Sequence, residues 1–548
     1  MKKIFLTLCL VVVAICSMNA EPVEVMVLMK ARYDRTELCR RAELYRTKAE
    51  RRDYVVKELK AFAEASQHDI MTTLKELEGS VSSISSLWSA NAISFTATEE
   101  VIQILMQRDD IESITLVRKH QSIPEAVTTT DVTDISRYTI APNLTQVNVP
   151  QVWAQGNEGQ GVLVAVIDSG VNYNHADIAD HLWDGGEEFP HHGWDFANND
   201  DDPMDDLGHG THCAGIVCGD GTAGLRTGAA PSATLMCIKC ADAEGHTTTP
   251  NMVKGMEFAV EHGCDLISMS MGLAQAEVAE REMLRRTCEA LLDAGIVGLF
   301  PAGNEHNLQH LCPIPLNVRV PGSCPPPYLD PDQMVNPGGL SCAICVGSVD
   351  ENDTVASSSS EGPVTWQDTE FGDYAYEPGI GLIRPDVCAP GVIIWSLHYQ
   401  HINDYDFKSG TSQATPCVAG IVALMLHENP ELTPAAICQI LEETSLRLTP
   451  TKSNRTGVGR VDALAAVTAA AEWDGVVQPT VESVTLWPNP ADNVLYLNVT
   501  DGATVNIFDM TGRMVKQEKY QGQIDVSKLA LGIYTIKTEG VTVKFVKE

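Results

Sequence analysis

Between about residue 137 and residue 472 the chain repeats one pattern, a short and continuously apolar run followed by a longer stretch with helical spacing. The apolar runs are Val162–Ile167, Thr234–Ile238, Asp265–Met269, Ile296–Phe300 and Ala343–Val346, and helical patterns cover Met252–Glu261 and Ala279–Ala294. A strand that is apolar on both faces must be covered on both. The alternation therefore predicts an α/β domain, a parallel sheet with helices on either side. Ligands and reacting groups in such sheets gather at the carboxyl ends of the strands.

The ends of the chain follow other patterns. Over residues 21–123, Val23–Met29, Ala92–Phe95 and Ile111–Leu116 read as strands. Arg51–Leu77 and Glu99–Met106 read as helices, the second opening at Thr98, so this region is a small α+β unit. Polar, Thr-rich residues 124–136 form an exposed linker and residues 473–482 a second one. Residues 483–548 carry strand-like runs at Val494–Val499, Thr504–Phe508, Ile533–Lys537 and Thr542–Val546, which predicts a small β-sandwich. Residues 1–20 read as a cleaved export signal: Lys2 and Lys3, then apolar Ile4–Cys16, then the polar exit Ser17–Ala20. No later apolar run is long enough to span a membrane, so none is expected in the mature chain.

Composition excludes some partners. The 38 Lys+Arg against 73 Asp+Glu give a net charge of −35, and the stretch from Tyr138 to Glu472 holds 13 basic and 44 acidic residues. Nucleic acid and anionic membranes both need a basic face, so the acidic balance argues against either as the main partner. Export permits disulfides, and Cys312 with Cys324, in a Pro-rich loop, is the best candidate pair. Cys237/Cys240 and Cys342/Cys345 have metal-motif spacing, but each pair sits in an apolar strand-like run. There a small buried hydrophobe is the simpler reading.

Three central segments carry nucleophile chemistry. Asp168 ends the run Val164-Ala165-Val166-Ile167-Asp168. His209 lies in Gly208-His209-Gly210-Thr211-His212-Cys213. Ser412 lies in Ser409-Gly410-Thr411-Ser412-Gln413-Ala414, at the start of an apolar helix. Taken singly, these are a turn residue, a glycine-flanked histidine and a helix cap. Together they supply a hydroxyl, a base near neutrality and a buried carboxylate to orient that base, in the chain order Asp, His, Ser.

On these motifs residues 137–472 resemble the subtilisin-like serine endopeptidases, the subtilases. The resemblance implies Asp168, His209 and Ser412 as the catalytic triad, with His209 rather than His212 as the base. Phe300-Pro301-Ala302-Gly303-Asn304-Glu305 matches the family's oxyanion segment, which implies Asn304 as a donor to the oxyanion and Ala302 and Gly303 as substrate-binding. Ser270-Met271-Gly272 resembles the segment that pairs with the substrate backbone. Gln413 stands where the best-known members carry Met, and Cys417 replaces a common His. The chain from Asn304 to Pro337 is longer than in small members, so pocket preference does not carry over. The chemistry requires no cofactor. Asp195, Asn198, Asp200 and Asp202 resemble a structural Ca²⁺ loop of some subtilases, the alternative being a solvated acidic loop. Asp177 resembles a ligand of another calcium site, opposite Asp220–Gly224.

Residues 21–123 resemble the inhibitory propeptide of the same family, which implies self-cleavage between Lys119 and Arg137. The C-terminal region, with Trp487-Pro488-Asn489-Pro490, Asp509-Met510-Thr511-Gly512 and Leu531-Gly532-Ile533-Tyr534, resembles the sorting domain of type IX secretion substrates. The expected partners are therefore protein or peptide substrates, the chain's own propeptide and the type IX secretion machinery. The expected location is outside the cell or on its outer surface, after passage through the periplasm.

Overall fold

The computed structural model describes residues 21–77, 79–123, 137–327, 333–338, 341–369, 381–473 and, with short gaps at 488–489, 498, 500–501, 510–512 and 539–540, 486–547. The export signal, the linker 124–136, nearly all of the second linker, the Pro488-Asn489 turn and Met510-Thr511-Gly512 fall outside the described residues. The chain divides into two units, Met1–Trp473 and Asp474–Glu548.

The predicted parallel sheet is present. Eight strands pair in parallel in the order Gly459–Arg460, Val387–Pro390, Ala343–Val349, Val297–Pro301, Leu266–Ser268, Leu163–Asp168, Thr234–Lys239 and Gly193–Asp195. Leu446–Arg447 closes one edge antiparallel. Side chains alternate between two cores, as a strand's two-residue period requires. Val164, Val166, Leu266 and Val346 enter one core, with helices His209–Cys218 and Thr411–Glu428. Ala165, Ile167, Ile267 and Cys345 enter the other, with helices Thr249–Glu261 and Val278–Asp293.

The N-terminal α+β region forms a four-stranded antiparallel sheet in the order Val81–Leu87, Ala92–Ala97, Val23–Met29, Ile111–Leu116. Its long helix runs Lys48–Glu76 and starts before the expected Arg51. The reason is a capping box: Glu50 N donates to Thr47 Oγ1, and the Glu50 carboxylate accepts from Thr47 N. Val55, Leu59, Ala63, Ile70 and Leu74 bury one stripe of it. The region packs on helices Thr249–Glu261 and Val278–Asp293, where polar contacts frame the apolar ones. Arg35 pairs with buried Asp293 at 2.7 Å, Arg286 pairs with Glu112 at 2.5 Å, and Ser89 N and Oγ both donate to Glu257 at 2.7 Å.

The second unit comprises two antiparallel sheets, in agreement with the predicted sandwich. Leu486–Trp487, Val494–Leu497 and Ile524–Asp525 form one; Met514–Lys519, Thr504–Phe508, Gly532–Thr538 and Val541–Lys547 form the other. Leu495, Val505, Ile507, Tyr534, Ile536 and Phe545 share its core. Among the described residues no helix is long and apolar enough to cross a membrane.

The cysteine expectation needs correction. All 14 described cysteines are free thiols, Cys312 and Cys324 included. Cys324 is fully buried in the core that also holds Cys288 and Cys342, whereas Cys312 is held in a loop by Asn317 Nδ2, which donates to its carbonyl at 2.7 Å. Cys237 and Cys240 enter cores on opposite faces of the sheet, so this CxxC cannot gather one metal. Cys342 and Cys345 are buried hydrophobes of one core.

Candidate active site

Asp168 is the last residue of the strand Leu163–Asp168, and His209 is the first residue of the helix His209–Cys218. Glycine lets the two meet: a Cβ on Gly210 would lie 2.0 Å from the Gly170 carbonyl oxygen and 3.0 Å from the Asp168 Cβ. His209 Nδ1 donates to Asp168 Oδ1 at 2.7 Å, and Ser169 N donates to the same oxygen at 2.8 Å. Asp168 is wholly buried, and among the described residues its Oδ2 has no hydrogen-bond partner. Burial lowers the His209 pKa, but the Asp168 charge, aided by Cys213, outweighs it and carries the value well above the ordinary 6.5.

A residue that the sequence reading missed holds this geometry. The carboxylate of buried Asp205 accepts from Ser169 Oγ, Leu207 N, Gly208 N, Thr211 N and Thr211 Oγ1 at 2.6–3.1 Å. It thereby ties the start of the His209 helix to the Asp168 turn, meeting donors that a helix N-terminus leaves open. The only signal was an acid four residues before the histidine. Cys213 was also missed, though it lies one helical turn beyond His209. Its Sγ stands 3.8 Å from His209 Nδ1 and donates to the Ser412 carbonyl at 3.4 Å. His212 is excluded as the base. It is wholly buried, its Nε2 is engaged by Ile394 O at 3.0 Å, and burial holds its pKa well below 6.5.

Ser412 is the second residue of the helix Thr411–Glu428, whose dipole favours negative charge at this end. Its hydroxyl donates to Ser270 O at 3.2 Å, and Ser270 Oγ donates to Ser412 O at 2.8 Å. In this state no hydrogen bond joins Ser412 to His209. Such contacts are commonly long before substrate binds.

Asn304 follows the strand Val297–Pro301. Its side-chain carbonyl accepts from Thr411 N at 3.0 Å, beside Ser412, which fixes the amide and leaves Nδ2 as a donor. Gly303 N donates to Thr411 Oγ1 at 3.1 Å. Of Ser270-Met271-Gly272, Met271 points into the core, while Ser270 and Gly272 meet polar partners. One partner comes from the N-terminal region. The Ser122 hydroxyl accepts from Gly272 N at 3.0 Å and donates to Gly272 O at 3.1 Å. Nearby, His120–Gln121 pair antiparallel with His246–Thr247, and Ser122 N and Ile123 N donate to Gly245 O. Residues 120–123 therefore lie between Gly245–Thr247 and Gly272, two residues from the Ser270 that meets Ser412.

Several oxygens of the candidate calcium donors accept hydrogen bonds. Asp195 Oδ1 accepts from Ala197 N and Asn198 N, and its Oδ2 from Asn198 Nδ2, at 2.7–2.8 Å. Asp200 Oδ1 accepts from Asp202 N, and Asp202 Oδ1 from the Tyr173 hydroxyl. A buried ammonium, Lys239, stands 3.8 Å from Asp195 and 2.5 Å from Asp206 and supplies positive charge there. In this structure these side chains close an acidic turn. Asp177 does face the Asp220–Gly224 loop, but its oxygens accept from Ala223 N at 2.6 Å and the Tyr405 hydroxyl at 2.9 Å.

Comparison with known proteins agrees with this arrangement. The subtilase family model matches residues 159–461 and that of the secretion system C-terminal sorting domain matches residues 485–548. The chain is 32% identical over 335 residues to the serine protease AprX of Bacillus subtilis, covering 56% of this chain and 66% of that protein. It is 30% identical over 324 residues to thermitase of Thermoactinomyces vulgaris, covering 59% and 94%. It is 27% identical over 471 residues to bacillopeptidase F of Bacillus subtilis, covering 80% of this chain but only 30% of that protein. With its parallel sheet and its joined Asp168 and His209, the chain belongs to the subtilase family of serine endopeptidases and carries a C-terminal sorting domain.

Proposed function

We propose that the chain is the precursor of an exported endopeptidase in which Ser412 is the nucleophile, His209 the base and Asp168 its orienting carboxylate. The Ser412 hydroxyl leaves Ser270 O, gives its proton to His209 Nε2 and attacks the scissile carbonyl. His209 then protonates the leaving amine, and water, activated by the same imidazole, releases the acyl group. Asn304 Nδ2 and Ser412 N serve the oxyanion. The observation that carries this reading is the Thr411 hydrogen bond to Asn304 next to Ser412, on the same side of the sheet as the Asp168–His209 pair. Fluorophosphonate labelling of the mature protein tests it: label on Ser412 is expected, and its absence would refute the assignment. Replacing Asn304 with leucine is expected to lower kcat by 10²–10³-fold, or about 3–4 kcal/mol of barrier, with KM nearly unchanged.

Residues 21–123 act as the propeptide, 124–136 as the cleaved linker, 137–472 as the catalytic domain and 483–548 as the sorting domain read by type IX secretion. Cleavage of the linker, between Lys119 and Arg137, is by the enzyme itself, and the mature form acts on proteins or peptides outside the cell or at its surface. Support for the inhibitory role comes from Ser122, whose hydroxyl occupies both main-chain groups of Gly272.

Release of that segment should depend on pH. Burial under Ser89 pushes the Glu257 carboxyl up to about 8, against the opposing Ser89 hydrogen bonds. A carboxyl raised above its usual 4.5 stabilises the bound state while protonated, so that contribution is lost as pH rises through about 8. The cleaved complex is expected to dissociate more readily on size exclusion at about pH 9 than at about pH 5. A Glu257→Gln variant should flatten the difference.

A further inference from the structure

Resting on the cleavage reaction proposed above, we propose that Arg319 is the floor of the pocket that receives the side chain at the cut, and that it selects a carboxylate there. The backbone on either side of Arg319 bridges the two walls beside Ser412. Arg319 N donates to Ala302 O at 2.9 Å, while Val320 exchanges hydrogen bonds of 3.1 and 2.8 Å with Leu273. The side chain fills the space between two glycines. A Cβ on Gly272 would come within 3.0 Å of Arg319 Cβ, and one on Gly303 within 3.0 Å of Arg319 Cγ.

The guanidinium has five N–H donors. Nε and one Nη2 hydrogen go to Glu305 Oε1, at 3.0 and 2.5 Å. Nη1 donates to Gly272 O at 3.2 Å and to the carbonyl of Ser122. Ser122 belongs to the segment seated in the cleft, so its departure frees one donor. The fifth makes no hydrogen bond among the described residues. Glu305 cannot turn to cover them, because its Oε2 is held by Asn304 N at 2.8 Å and Ser360 Oγ at 3.1 Å. A planar cation with two open donors suits a carboxylate. An apolar or cationic side chain would leave those buried donors unmet.

The test compares peptides differing only at the residue before the cut, Glu, Gln, Leu, Phe or Lys, by kcat/KM with the purified mature enzyme. Glu is expected to exceed Gln by about tenfold or more, with Lys lowest. An Arg319→Met/Glu305→Gln double variant, which leaves no orphan carboxylate, is expected to place Leu above Glu. An apolar preference in the unaltered enzyme overturns the proposal, and that measurement stands even if the double variant fails to fold. An unchanged Glu-to-Leu ratio in the double variant also overturns it. So does an equal loss on all five peptides, the mark of a grip on the substrate main chain alone. Fluorophosphonate labelling of the same samples separates the two readings. Label on Ser412 without a Glu preference sinks only the pocket; no label and no cleavage of any peptide sinks the reaction as well.

Discussion

Peptide hydrolysis is expected to fall about a millionfold in kcat when Ser412 is replaced by alanine, the scale known for the corresponding loss in subtilisin. The fold should be almost untouched. Among the described residues the hydroxyl makes a single hydrogen bond, to Ser270 O, and the return bond from Ser270 Oγ to the Ser412 carbonyl survives the change. Deleting one such bond costs about 1 kcal/mol, too little to unfold a domain with two extensive cores. The variant should therefore show a near-normal thermal transition and accumulate as an uncut precursor when purified away from other proteases. A Ser412→Ala chain that still removes its own residues 21–123 in isolation would end the self-processing reading.

The Asp168→Asn variant is expected to lose about ten-thousandfold in kcat while keeping its shape, because an amide in place of the carboxylate holds the imidazole in the wrong tautomer. Its pH profile separates a positioning loss from mere damage. In the proposed mechanism catalysis needs neutral His209, and the adjacent charge of Asp168 raises that imidazole's pKa well above 6.5. The acid limb of kcat/KM should therefore lie to the alkaline side of 6.5 in the unaltered enzyme and move to lower pH in Asp168→Asn. A limb that stays in place would show that the pair does not govern the proton. The same coupling contributes stability that is fully present below 6.5 and is lost as pH rises through the raised value.

Much of this architecture was legible in the residues. The apolar runs at Leu163–Asp168 and Thr234–Lys239 are long enough to declare themselves, and Asp168, His209, Asn304 and Ser412 sit in segments whose neighbours carry the signal. Gly193–Asp195, Val387–Pro390 and Gly459–Arg460 escaped notice because two to four residues show no period. Val81–Leu87 is too rich in serine to read as a strand and is held by pairing with Ala92–Ala97. Asp205, Cys213 and Arg319 escaped for another reason. Asp205 and Cys213 are lone residues with no periodic signal of their own, and Arg319 owes its importance to partners far away in the chain, such as Ser122. The proposed Cys312–Cys324 bridge failed on the same ground, since shared loop membership says nothing of where each sulfur points.

The thirteen sulfhydryls from Cys213 to Cys438 are all buried, and desolvation raises the pKa of residues such as Cys237, Cys345 and Cys388, suppressing the reactive thiolate. They are inert only once the sheet has closed over them. On the export reading proposed above, the chain runs a race: each sulfur must be sealed by folding before it meets an oxidant, or it risks being cross-linked to a wrong neighbour. Whatever accelerates closure of the two cores also protects the chemical integrity of the product.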